Sequence, residues 1–158
     1  ASSDNATATQ LIYVYNDSAG HTNSFSGGDI GLAIYGVTAD SGTLAATLAV
    51  ENSIFNANNG GIFFLQHGYD TYSPTAQVGI HNNIFTGNVN VGFAAGGYQA
   101  NQTFAVQGNT FTNPVGSYGI SIESHNGSTQ VINVHTNTQT GGTPYNFNDP
   151  GVSQTITY

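Results

Sequence analysis

Ile80-His81-Asn82-Asn83-Ile84-Phe85 decides the reading of this chain, because the same order of residue types returns at Val106-Gln107-Gly108-Asn109-Thr110-Phe111. Each copy is an aliphatic residue, two polar or small ones, Asn, any residue, then Phe. Working outward, Val50-Glu51-Asn52-Ser53-Ile54-Phe55 carries Ser in the Asn position, and Val134-His135-Thr136-Asn137-Thr138-Gln139 carries Gln in the Phe position. Gly20-His21-Thr22-Asn23-Ser24-Phe25 is a fainter copy without the leading aliphatic. From Asn23 through Ser53, Asn83 and Asn109 to Asn137 the steps are 30, 30, 26 and 28 residues. A second signal follows most copies, a Gly and then an apolar residue: Gly31-Leu32, Gly61-Ile62, Gly92-Phe93 and Gly119-Ile120. The last copy keeps only Phe147, after Asn146.

A unit of this length with short β-rich runs and Gly/Asn corners is one turn of a solenoid. Helical repeats are excluded by the density of Gly, Asn and Thr, which form helices poorly; leucine-rich repeats are excluded by the scarcity of Leu. The expected fold is all-β, a parallel β-helix of about five coils of 26–30 residues. These residues resemble the right-handed parallel β-helix family, the pectate-lyase-like superfamily, over roughly Gly20 to Phe147. The resemblance implies a right-handed coil of the non-catalytic extracellular adhesin or fibre type.

Stacking at about 4.8 Å turns equivalent positions into columns. Phe25, Phe55, Phe85 and Phe111 are expected to form an interior aromatic stack. Leu32, Ile62, Phe93 and Ile120 make a second column, and Val50, Ile80, Val106 and Val134 a third. Asn23, Asn83, Asn109 and Asn137, with Ser53 among them, are expected to form an amide ladder at a sharp corner, where Asn also tolerates left-handed backbone. Two longer intervals, Val37 to Thr47 and Gly68 to Ala76, read as projecting loops, the second carrying Tyr69, Asp70, Tyr72 and Pro74.

The 158 residues include no Lys, Arg or Cys, eight Asp or Glu and five His, for a formal charge of −8. Without a cation there is no counterion-releasing phosphate contact, so nucleic acid is excluded as a partner. A phosphate-binding Lys and a polybasic membrane patch are excluded on the same ground, as are disulfides and thiolate metal sites. No apolar run reaches the roughly 18 residues of a membrane span. The polar opening Ala1 to Gln10 has the look of a processed N-terminus, and the Ser/Thr/Asn/Gly chemistry points to an extracellular or cell-surface location.

His21, Glu51, His81, Gln107 and His135 follow the leading aliphatic and should form one outward column. His21, Glu51 and His81 are its weak candidate for a divalent metal, against the plain reading of an exposed polar row; no cofactor is expected. His67, Tyr98 and His125 share a further column. No catalytic constellation is recognisable: the eight carboxylates are scattered, and the base used by polysaccharide lyases of the resembled family, an Arg or Lys, is missing. The chain therefore reads as a non-enzyme. Sequons begin at Asn5, Asn16, Asn101 and Asn126, of which Asn101 and Asn126 fall in expected turns.

The organisation expected is an extension over 1–19 with a strand at 11–15 that caps the coil or pairs with another subunit, the β-helix over 20–148, and a terminal strand segment over 149–158. Leu11, Ile12, Tyr13, Val14 and Tyr15, with Thr155, Ile156 and Tyr158, are the candidate assembly residues. These strands flank a solenoid with no amphipathic capping helix, so the expected function is a secreted, self-associating filament or adhesin subunit. Its expected partners are copies of itself, head to tail, with glycans or cell surfaces beside them. The alternative is a carbohydrate-binding or polysaccharide-degrading β-helix module.

Overall fold

The computed structural model describes residues 4–16, 20, 22–37, 41–68, 73–148 and 153–158. The chain winds through repeated layers of three strands. These are β1 (Asp4–Val14), β2 (Ser24–Ser26) and β3 (Ile30–Val37); β4 (Ser41–Glu51), β5 (Ile54–Asn56) and β6 (Gly60–His67); then β7 (Thr75–His81), β8 (Ile84–Thr86) and β9 (Val91–Tyr98). β10 (Asn101–Gln107), β11 (Thr110–Thr112) and β12 (Tyr118–His125) follow, then β13 (Thr129–His135), β14 (Thr138–Thr140) and β15 (Thr143–Asn148), and β16 (Ser153–Thr157) opens one more layer. All strand pairs are parallel, and they build three sheets. Sheet A holds six strands in the order β1-β4-β7-β10-β13-β16, sheet B β2-β5-β8-β11-β14, and sheet C β3-β6-β9-β12-β15. Among the described residues there is no helix. The chain is a parallel β-solenoid of about four turns, a small difference from the five coils expected.

The columns follow from register. Phe25, Phe55, Phe85 and Phe111 stack nearly face to face, with centroids 4.8, 5.1 and 4.7 Å apart. Val14 joins Val50, Ile80, Val106 and Val134 inside sheet A, and Leu32, Ile62, Phe93, Ile120 and Tyr145 line up inside sheet C. The glycine before each sheet C aliphatic has a steric reason. A Cβ on Gly92 would lie 2.6 Å from the Phe111 ring and 2.8 Å from the Gly119 carbonyl; on Gly31 it would lie 2.8 Å from Phe55 and 2.7 Å from the Gly61 carbonyl. Only glycine lets each Phe ring rest against the backbone of the layer beside it.

Amides fasten all three corners. Between sheets A and B, Ser53 N–H donates to Asn83 Oδ1 (2.9 Å), Asn83 N–H to Asn109 Oδ1 (2.9 Å) and Asn109 N–H to Asn137 Oδ1 (2.9 Å). Between B and C a second ladder runs through Asn58 and Asn88: Gly28 N–H donates to Asn58 Oδ1 and Asn58 N–H to Asn88 Oδ1. Between C and A the amides of Gln154, Gln130 and Gln102 donate in turn to Gln130, Gln102 and Gln66.

Four expectations need correction. The left-handed residue at the first corner is the one before the ladder position, at Asn52, Asn82, Gly108 and Thr136 (φ 52°, 55°, 65° and 53°), and the ladder Asn that follows is thereby aimed inward. The interval Val37 to Thr47 is mostly strand: Val37 ends β3 and 41–47 belong to β4, whose Thr43-Leu44-Ala45-Ala46-Thr47-Leu48 alternates inward and outward positions against β1. Of Gly68 to Ala76, Thr75 and Ala76 lie in β7; Tyr69, Asp70 and Tyr72 fall outside the described residues. In the first layer the aliphatic column is filled by Val14, so Tyr15 follows it where His21 was expected.

Candidate functional site

Three places on this scaffold gather chemistry-bearing side chains: the two end faces and a cleft on the outside of sheet C. At the N-terminal face, Ile12, Val14, Phe25 and Leu32 pack on the core but stay half-buried. Leu11, Tyr13 and Tyr15 point outward from sheet A, each more than half exposed. At the C-terminal face Tyr145, Phe147 and Ile156 are the half-buried counterparts. The rings of Tyr145 and Phe147 lie 5.6 Å apart, and Tyr145 and Tyr158 5.8 Å apart. Burial, and then the neighbouring Tyr158, push the Tyr145 hydroxyl above its ordinary pKa. Thr155 and Tyr158 are exposed. The segments 11–15 and 154–158, expected as flanking strands, lie along the two edge strands of sheet A: β1 pairs with β4 and β16 with β13.

The amide ladder has polarity. Each backbone N–H points to the next layer toward the C-terminus, so Asn137 N–H is the unanswered donor at one end among the described residues. Among the described residues Asn23 Oδ1 is the unanswered acceptor at the other, while its Nδ2 donates to the Tyr15 carbonyl at 2.9 Å.

The cleft on sheet C exists because Gly96 interrupts an outward column of Tyr35, Leu65, Gly96, Glu123 and Asn148. A Cβ there would meet Leu65 Cδ2 at 2.7 Å. The hollow has a volume of about 330 Å³, bounded by Tyr35, Leu65, Gln66, His67, Gly96, Gly97, Tyr98, Glu123 and His125. A second of about 380 Å³ adjoins it through Leu65, Gly96 and Glu123 and runs on past Phe63, Ala94 and Tyr118. Glu123 Oε2 lies 3.5 Å from His125 Nε2, His67 packs edge-on against Tyr98 at 4.4 Å, and the Asn126 amide donates to the Tyr98 hydroxyl. Apolar ring faces beside a few hydrogen-bonding groups suit an uncharged, hydroxyl-rich ligand.

Of the metal candidates, Glu51 and His81 are neighbours across β4 and β7, Oε1 to Nδ1 3.5 Å, and His21 lies outside the described residues. Among the described residues no three His, Asp or Glu side chains converge on a point. Among the sequons, Asn126 sits exposed in a turn at φ 44°. Asn101 instead opens β10, exposed, with its N–H bonded to the Pro74 carbonyl at 2.8 Å. Asn5 lies in β1 and Asn16 is half-buried just beyond it. Among the described residues no helix is long and apolar enough to cross a membrane.

Sequence reasoning missed the Gln ladder, the second Asn ladder and the cleft. The second ladder did leave a signal, an Asn three residues after Phe55 and Phe85. Comparison with known protein families, with curated proteins and with solved structures finds no match to this chain.

Proposed function

We propose that this chain is an extracellular structural module whose work is self-association, copies joining end to end along the solenoid axis as in the fibre and adhesin type of parallel β-helix. The observation that carries the reading is the polarity of the end faces. Asn137 N–H of one copy is the donor that Asn23 Oδ1 of the next would accept. Head to head, two acceptor ends would meet and both would stay unsatisfied, at a cost of about 1–3 kcal/mol each. Half-buried apolar residues on both faces supply the area to be covered. A head-to-tail contact of this kind does not close on itself, and edge strands are a template for further strands. With no Lys or Arg, cohesion rests on backbone pairing, stacked rings and amide ladders, so growth is expected to change little with salt. Negative-stain microscopy and sedimentation over a concentration series test the reading: uniform fibres that lengthen with concentration are expected, and a monodisperse monomer at high concentration removes it.

The cleft favours a second activity, binding of a neutral glycan. No Lys or Arg stands anywhere in the chain to hold an acidic sugar, and the described cleft holds a single carboxylate, Glu123, where glycoside hydrolysis ordinarily uses two. Neutral oligosaccharides are therefore expected to bind without being cleaved. Tyr98→Ala, which removes one ring worth about 1 kcal/mol, is expected to weaken binding roughly fivefold to tenfold in calorimetry. Failure of every neutral saccharide to bind at millimolar concentration would discard this second activity.

A further inference from the structure

Sheet A has six strands while sheets B and C have five. A second copy docked on an intact β16 would place its β1 there correctly, but its β2 and β3 would stand two layers, about 9.6 Å, from β14 and β15 instead of about 4.8 Å. Seamless stacking of all three sheets therefore requires one terminal strand of sheet A to leave. The register says which.

Followed from sheet to sheet, Gln10 falls in one column with Ala46, Ala76, Gln102, Gln130 and Gln154, and Ile12 in one with Leu48, Val78, Phe104, Ile132 and Ile156. Thr9-Gln10-Leu11-Ile12-Tyr13-Val14 thus corresponds position by position to Ser153-Gln154-Thr155-Ile156-Thr157-Tyr158. The last strand repeats the inward pair, Gln and Ile, of the first. It is a poorer copy: β16 pairs with β13 only from Thr129 to Asn133 and stops short of Val134, whereas β1 keeps its pairing one level further, with Val14 opposite Val50 in the Val134 column. The residue that follows β16 at the Val134 level is the exposed Tyr158, where β1 offers the core aliphatic Val14.

We infer that β16 is a stand-in strand, displaced during assembly by the outer edge of β1 from a second copy of this chain. This deepens the end-to-end reading and rests on it. In the joined state Gln10 of the incoming copy takes the place of Gln154 and donates to Gln130 Oε1, and Ile12 covers Ile132. Val14 covers Val134, whose only aliphatic neighbour in the column, among the described residues, is Val106 on its other side. With β16 gone, β2 and β3 of the incoming copy fall one layer from β14 and β15, and Asn23 Oδ1 comes to Asn137 N–H. The incoming β1 keeps its own pairing with β4, so only β16 moves. The isolated subunit is thereby held back: its acceptor edge is covered until a better strand arrives.

The cysteine-free chain makes the test direct. Val131 and Thr155 are outward neighbours across β13 and β16, and parallel neighbours at about 4.8 Å lie within disulfide reach. The double variant Val131→Cys/Thr155→Cys is expected to stay monomeric when oxidised and to form fibres when reduced. Oxidised protein that forms fibres as readily as reduced protein would overturn strand displacement while leaving end-to-end stacking intact. Wild-type chain that never assembles would overturn both. A second measurement does not depend on the locked variant folding. Leu11 is expected to take the place of Thr155, so mixing Val131→Cys with Leu11→Cys protein under oxidation should give a disulfide-linked heterodimer. Fibres without that cross-link would reject the register proposed.

Discussion

Phe85→Ala is expected to lower the melting temperature by about 10 °C or more. Phe85 is fully buried in the third of five layers, with Phe55 on one side at 5.1 Å and Phe111 on the other at 4.7 Å. Truncating a buried Phe costs roughly 3–5 kcal/mol through lost transfer energy and the cavity left behind. For a chain of this size each kcal/mol moves the midpoint by about 2–4 °C. The cavity has little means of collapsing. Its floor and ceiling are rings held by strands paired on both edges, and its side wall is the backbone at Gly61, so close that an added Cβ there would lie 2.7 Å from the Phe85 ring. Phe85→Leu, which refills much of the space, is expected to lose less than half as much. Circular dichroism melts and urea midpoints read both variants, and a shift below about 3 °C for the alanine would mean that the ring stack is not the main cohesion of this core.

The same geometry explains what the sequence discloses and what it hides. A column is legible when its members are chemically alike and the spacing between layers is nearly constant. Phe25, Phe55, Phe85 and Phe111 meet both conditions, as do Asn83, Asn109 and Asn137. The first layer is hard to read because eight residues separate Val14 from Asn23, where two separate Val50 from Ser53; the eye aligns on Asn23 and misses the strand that feeds it. The long interval after Val37 reads as a loop only because its inward residues, Leu44 and Ala46, are unlike the Val and Ile of the main column. The Gln ladder stays hidden for a different reason. Two of its column's six members are Ala46 and Ala76, and Gln66 reaches the corner from the other sheet, so no single sequence position repeats. The cleft has no sequence signature, since it is made by the absence of a side chain at Gly96 and becomes meaningful only once Leu65 and Glu123 are known to flank it.

Asn109→Ala is expected to cost about as much as deleting a Phe, although it removes only one small polar group. Asn109 is 1% exposed. Its Oδ1 accepts from Asn83 N–H at 2.9 Å and from Asn83 Nδ2 at 3.1 Å, and its Nδ2 donates to the Ile80 carbonyl at 2.8 Å and to Asn137 Oδ1 at 2.9 Å. Alanine keeps the backbone but leaves the Asn83 N–H and the Ile80 carbonyl facing a dry corner. An unmet buried partner costs about 1–3 kcal/mol, so the two together bring the loss to roughly 3–5 kcal/mol. The matched control is Asn90→Ala. Asn90 Nδ2 donates to Asn59 Oδ1 at 2.6 Å in a further, exposed row that runs on to the Asp29 carboxylate, and there water replaces the lost partner, so a change within about 0.5 kcal/mol is expected. Asn109 makes four side-chain hydrogen bonds in a buried corner and Asn90 one in an exposed row, so water can make good the loss only at Asn90. Urea titrations of the two variants decide the matter, and equal losses would mean that the corner ladder is hydrated in solution and is not what locks the layers together.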